Sequence, residues 1–289
     1  MKSSAEIDLL KSYTVQGQKL AKAYLIYMSI TGFMFLLQPF LVTITSISSN
    51  STDVLSTIPF RVQYGVDPNK YYYEIVVHCY ITVVAHMGIL CSMNLIYILF
   101  IQHSCGLFAV IGYKLKRLGV EENLKTSLNI KKKNDTDYWT ALECLRRHIQ
   151  AIEFSEFVEG TFSTCLLCTM GVHVIGLAVA GFQILLHTDD FNELVRYICL
   201  CTSVVIQLFW ECWQAQLLLD YSNVPYECAI ESEWYNTSTR CKKILVLIMV
   251  RSLRPCKITA GKMITLSIET FSSVLRTSMS YFTVLQSAQ

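Results

Sequence analysis

Three groups of residues have types that could support chemistry, and their spacing decides what each can do. Cys165-Leu166-Leu167-Cys168 has the CxxC spacing of redox pairs. It lies inside a long apolar run, where small polarizable side chains suit helix packing. The chain has 12 cysteines, none of them in a segment read below as an outer loop, so no extracellular disulfide framework is expected. The 6 histidines show no metal-ligand spacing with carboxylates. His78 and His86 share a helix face only loosely and have no third ligand type beside them. No Gly-rich phosphate loop, nucleophile elbow or HExxH occurs. The expectation is a chain that is not an enzyme, with no catalytic residue, metal or cofactor.

The third group is Glu269 and Arg276, seven positions apart and so two helical turns apart on one face. They stand in an otherwise apolar segment, and charges inside a membrane are costly and face protein or water. Beyond Arg276 the sequence runs Thr277-Ser278-Met279-Ser280-Tyr281-Phe282-Thr283-Val284-Leu285, with hydroxyl residues recurring among apolar ones. That pattern suits a helix with one wet side, and close polar packing between helices produces it too.

The elements that position these residues follow from hydropathy. Apolar residues make up 53% of the 289 positions and charged residues 16%, too little charge to cover a soluble surface. No Asp, Glu, Lys or Arg occurs over 23–52, 75–113 or 160–188. Each run exceeds the roughly 20 residues that cross a bilayer as a helix. The reading is an all-α integral membrane protein with five spanning helices, about 23–47, 75–101, 162–186, 194–219 and 263–285. The fourth meets Glu211 and the fifth carries Glu269 and Arg276. The second run is too long for one crossing and is expected to continue as a helix toward Tyr113. Ile244–Val250 is strongly apolar but too short to span. The whole of 1–289 is read as a single membrane-embedded receptor or channel domain, with 220–262 on the cytoplasmic side. Residues 1–22 carry lysines and acids rather than a signal-peptide core.

Loop charge orients the chain. Four basic residues precede the first span, nine lie between the second and third and seven over 220–262, against two and one in the intervening loops. The positive-inside rule then puts the N-terminus in the cytoplasm and, after five crossings, the C-terminus outside. Outer-loop turn material at Pro59-Phe60 and Tyr64-Gly65-Val66-Asp67-Pro68, and a glycosylation sequon at Asn50, agree with this. The sequons at Asn134 and Asn236 fall inside and are expected to be silent. Lys131-Lys132-Lys133 reads as a solvated linker that also helps set topology; attraction to anionic headgroups is the other reading.

A ligand pocket needs apolar walls with a few hydroxyl or amide groups. By depth, Phe33, Phe35, Leu36 and Phe40 on the outer half of the first span fit, with Tyr73, Val76, Val77 and Tyr80 on the outer half of the second. Tyr71-Tyr72-Tyr73 also reads as an interfacial aromatic belt.

The stretch from Tyr235 to the C-terminus resembles the insect odorant receptors. It carries Tyr235-Asn236, Met249-Val-Arg251-Ser-Leu-Arg-Pro255, Thr259-Ala-Gly-Lys262, Ser267-Ile-Glu-Thr-Phe271 and Ser280-Tyr-Phe-Thr-Val-Leu285. Arg147-His148 through Glu159-Gly-Thr-Phe162 is similar to the entry of that family's fifth helix. Ile58-Pro-Phe60, Tyr64 and Tyr71-Tyr-Tyr-Glu74 resemble its second outer loop, and Glu6–Tyr13 resembles the loop before its third helix. The chain is therefore expected to lack the first two of the family's seven helices.

The resemblance implies an odorant receptor subunit of a ligand-gated, non-selective cation channel in a heterotetramer with the odorant co-receptor. It implies a small volatile ligand, a multi-pass location in the plasma membrane of a sensory dendrite, and the lipid bilayer but no nucleic acid as partner. Residues including Ile244–Val250 would form the anchor between subunits, the last helix would line the pore, and Val284 with Ala288 would form its outer gate. A volatile ligand would gain roughly 25 cal/mol per Å² of buried apolar surface, and would open the pore only by favouring the open state.

A gustatory-type receptor shares the architecture, though the Ser280–Leu285 ending favours the odorant branch. A transporter would show repeated broken helices, a G-protein-coupled receptor would end inside, and a membrane enzyme would need clustered His or acidic residues.

Overall fold

A bilayer offers backbone amides no water, so a chain with these uncharged runs satisfies them within helices. The computed structural model describes residues 4–49, 65, 67, 70–120, 130–186 and 191–287. They form α1 (Ser4–Ser49), α2 (Tyr72–Lys116), α3 (Ile130–Leu186), α4 (Phe191–Glu231), a 3-10 turn (Trp234–Asn236), α5 (Thr239–Ser252), a hairpin of β1 (Thr259–Ala260) and β2 (Ile264–Thr265), and α6 (Ile268–Ser287). The outer-loop turn material over 58–64 and the Asn50 sequon lie outside the described residues, as do the side chains of Lys131-Lys132-Lys133 and Asn134.

Four of these helices are long and apolar enough to cross a membrane: α1 over Ser4–Leu37, α2, α3 over Thr136–Leu186 and α4 over Glu193–Glu231. The fifth expected span, α6, is not among them. Glu269, Arg276 and its hydroxyl residues keep its hydropathy low. At 1.5 Å per residue the 45 residues of α2 extend about 68 Å, roughly twice a hydrocarbon core. Their continuation to Lys116 is one unbroken helix.

The chain forms two compact units. The first comprises Met1–Lys19, Tyr97–His173 and Leu208–Arg276. Its α2 face buries Tyr97, Ile101, Phe108, Ile111 and Leu115 at helical spacing. The Tyr97 ring packs 5.3 Å from Phe162, and Phe100 meets Phe154 edge-on at 5.9 Å. Within α4, Pro225 removes one backbone hydrogen bond, yet the helix continues to Glu231 because Pro225 is packed inside.

The second unit comprises Leu20–Ile96, Val174–Gln207 and Thr277–Gln289. Among its described residues few large side chains are buried, and its helices are tied by polar contacts. The Tyr24 hydroxyl donates to Gln207 Oε1 at 2.9 Å, and the Tyr27 hydroxyl donates to the Ser203 carbonyl at 2.8 Å. Apolar residues such as Ile26, Ile30, Ile81, Val84 and Ile89 stay exposed. Lipid tails are as apolar as these side chains, so nothing drives them inward.

In the first unit Gly119, three residues past the end of α2, has φ +77°. A Cβ there would lie 2.1 Å from the Glu233 carbonyl oxygen, a contact with rigid backbone. Gly119→Ala therefore combines a left-handed residue with a backbone clash, and should cost more than ~2 kcal/mol. Gly32→Ala, with nothing within 4 Å of the new Cβ, should be neutral or slightly stabilising. Thermal unfolding of the detergent-purified variants checks the contrast, and equal effects would refute it.

Candidate functional site

Of the eight residues placed by depth on the first two spans, Leu36 and Tyr80 are brought into contact. α2 turns Ile75 and Cys79 inward, with Tyr72 and Val76 packed against them. Tyr80 follows on that face, and its hydroxyl donates to the Leu36 carbonyl at 3.3 Å, bringing Leu36 and Tyr80 together. Tyr73 and Val77 stand about 100° around the helix from that face and are 80% and 56% exposed. Phe33, at 63%, is exposed as well. The side chain of Phe40 lies outside the described residues.

The best-defined construction surrounds the start of α6. The hairpin pairs Thr259 with Thr265 and Ala260 with Ile264. Its turn holds two consecutive positive-φ residues, Gly261 at 61° and Lys262 at 59°. The turn docks on one residue of α3. Gly261 N donates to the Ser163 carbonyl at 2.9 Å, and Lys262 N donates to Ser163 Oγ at 3.1 Å. Ser163 Oγ also lies 3.3 Å from Thr259 Oγ1, which donates to the Glu159 carboxylate. A Cβ at Gly261 would come within 2.5 Å of the Leu167 side chain, which would have to shift.

From the hairpin the chain enters α6 with Ser267 as cap, its Oγ accepting from Thr270 N at 3.2 Å. Ile268 N donates to Gln216 Oε1 of α4 at 3.3 Å, and the Phe271 ring meets Phe209 edge-on at 5.4 Å. The base of α6 is thus held by α3 through the hairpin and by α4 directly. Along α6, Glu269, Ser273, Arg276, Ser280 and Thr283 are all exposed, at alternating four- and three-residue steps. They make one polar stripe. Val284 lies in α6 with its side chain outside the described residues, and Ala288 is outside them altogether.

α5 is amphipathic. Ser238 caps it by accepting from Cys241 N at 3.3 Å. Cys241, Ile244, Leu245, Ile248 and Ser252 are buried, whereas Val246, Leu247, Val250 and Leu253 are exposed. The buried face reaches α3, where Ser252 Oγ lies 3.4 Å from His148 Nε2 and Arg251 pairs with Glu156 at 3.6 Å. In the same unit Glu6 sits between Lys114 and Arg147, 3.0 Å from each, and Arg147 also holds Glu143. Burial pushes the Glu6 carboxyl up, but the two cations outweigh it and hold the group below its ordinary value. A cleft of about 440 Å³ opens beside this network, with Leu10, Leu107 and Ile111 on its apolar wall and Arg146, Arg147 and Gln150 on its polar one. Cys165 and Cys168 are exposed free thiols, so the packing expected of them is not met within this chain.

The fold is an all-α, multi-pass membrane protein. The family model described as the 7tm Odorant receptor matches residues 6–279, and the chain belongs to that family, whose members are receptors of the plasma membrane rather than enzymes. Odorant receptor 13a of Drosophila melanogaster is 27% identical over 204 residues, covering 65% of this chain and 46% of that one. Odorant receptor Or2 of Anopheles gambiae is 26% identical over 191 residues, covering 63% and 49%. The chain thus spans about half the length of the curated relatives it matches. The solved insect olfactory receptor OR5 of Machilis hrabei, in complex with eugenol, superposes with a TM-score of 0.72 at 15% identity, covering 98% of this chain and 69% of that one. That likeness concerns the fold. The family match decides for the odorant branch over the gustatory and transporter readings.

Burial pushes the His148 imidazole down to about 4, with the Arg251 charge adding to the effect. An unfolded histidine takes its proton near pH 6.5, so the unfolded chain binds more protons between about 6.5 and 4. The seat of α5 should therefore be stable above that window and lose on the order of 3 kcal/mol as pH falls through it. Thermal unfolding at stepped pH should show this loss flattened in His148→Gln; an unchanged slope would exclude His148 as its source.

Proposed function

We propose that the chain is an odorant receptor subunit that acts with the odorant co-receptor in a heterotetrameric, ligand-gated, non-selective cation channel. The observation that carries this reading is the polar stripe on α6. A helix that carries Glu269, Ser273, Arg276, Ser280 and Thr283 along one exposed face is suited to line water. In this reading α6 makes the fifth crossing, the N-terminus is cytoplasmic, the C-terminus is outside, and Val284 and Ala288 stand at the outer gate.

The exposed apolar face of α5 supports assembly. Val246, Leu247 and Val250 belong to a helix too short to span a membrane, and such a face is covered by another subunit in a stable complex. The ligand is a small volatile compound held largely by apolar burial. Of the residues placed by depth, Leu36 and Tyr80 are the candidate wall, Tyr80 supplying a hydroxyl that can turn to a ligand. Phe33, Tyr73 and Val77 would reach a ligand only from their outward side.

Co-expression of this chain with the co-receptor, with odorant-evoked current as readout, tests the proposal. Current that needs both chains is expected; equal current from this chain alone would contradict the heteromeric reading. Leu247→Glu should reduce co-purification with the co-receptor on the order of tenfold or more, since a carboxylate would be buried in the interface. Undiminished co-purification would remove α5 from the assembly.

A further inference from the structure

Glu211 of α4 is fully buried, inside a helix apolar enough to cross the membrane. A bare carboxylate in that setting is expensive. Its basic partner comes from α3. His173 Nδ1 stands 3.9 Å from Glu211 Oε2, too far for a direct hydrogen bond and close enough for strong electrostatic coupling. The two are 38 positions apart in sequence and meet only through helix packing.

Two further side chains complete the site. Gln214, one turn beyond Glu211, is fully buried, and among the described residues neither end of its amide has a hydrogen-bond partner. The fully buried Tyr97 of α2 stands in electrostatic reach of Glu211 and likewise has no partner for its hydroxyl. An amide and a phenol can each donate to a carboxylate or accept from a carboxylic acid. They can therefore serve either protonation state of Glu211. Among the described residues the thiols of Cys212 on α4 and Cys105 on α2 also act on this cluster, with the Asp220 carboxylate of α4 beyond Cys105. Neither thiol nor phenol is cationic at any pH.

We propose that Glu211 and His173 share a single proton and form a proton-binding site within the membrane, served by Gln214 and Tyr97. With one proton the pair is neutral overall, whichever partner carries it, and the buried region bears no net charge. A second proton would leave a net positive charge there, and loss of the first a net negative one. The site joins α3 and α4, the two helices that hold the base of α6, so a change in its protonation acts on the seat of the polar-striped helix. The site itself does not depend on the channel reading, and its test is independent of conduction.

The test is the pH dependence of thermal unfolding of the detergent-purified chain between pH 5 and 6, compared with two variants and their combination. In this window the unfolded chain has ionised Glu and protonated His, one proton for the pair. The folded pair also holds one, so it contributes no slope. In Glu211→Gln the folded His173 is left neutral and the unfolded chain binds one proton more, so stability should rise with pH relative to wild type. In His173→Asn the folded Glu211 keeps its proton and the unfolded chain binds one fewer, so stability should fall with pH. Each difference should approach tenfold in the folded-to-unfolded ratio per pH unit, with opposite signs, and the double variant should track wild type. Slopes of the same sign, or none, would overturn the proposal. Should a single variant yield no folded chain, the double variant decides: its recovery supports the shared proton, and its failure overturns it.

Discussion

The position of α6 depends on one backbone contact, the hydrogen bond from Gly261 to the carbonyl of Ser163. A chain that leaves helical geometry inside a packed region exposes amides that need new partners. The hairpin between α5 and α6 meets this constraint by borrowing both oxygens of Ser163, with Thr259 and Glu159 closing the group. Glycine at 261 suits its φ of 61° and leaves room for the Leu167 side chain. From that fixed point Ser267 starts the helix and Gln216 orients its first free amide.

The two units hold themselves together by different physics. The first, with its charged helix segments and α5, has a dense apolar core and a buried acid, Glu6, between two cations. There close apolar packing and paired charges hold the helices together. The second relies on few polar latches, Tyr24 with Gln207, Tyr27 with Ser203 and Tyr80 with Leu36, and leaves its aliphatic residues outward. In lipid a polar contact orders helices more effectively than another isoleucine would.

Much of the architecture was legible because membrane crossing depends on composition over a long window. The uncharged runs located α1, α2 and α3, and α4 despite Glu211. Helix rotation was not legible, since Tyr73 and Tyr80 have equal claims by depth and only packing separates them. The same holds for His173 and Glu211, whose pairing depends on two long helices meeting at one level. The low hydropathy of α6 signalled Glu269 and Arg276, and their stripe extends through Ser273, Ser280 and Thr283. The outward direction of Cys165 and Cys168 was not legible either, since apolar neighbours suit a packed face and an outward face of a helix equally.

The most direct measurement is the reactivity of cysteines placed along α6 toward a water-soluble thiol reagent, in the chain expressed with the co-receptor and with the exposed Cys165 and Cys168 first replaced by Ser. Cysteines at Ser273, Ser280 and Thr283 should react, and one at the buried Ser278 should not. Reactivity at Ser278 with protection along the stripe would contradict the account of α6 as a helix with one face to water.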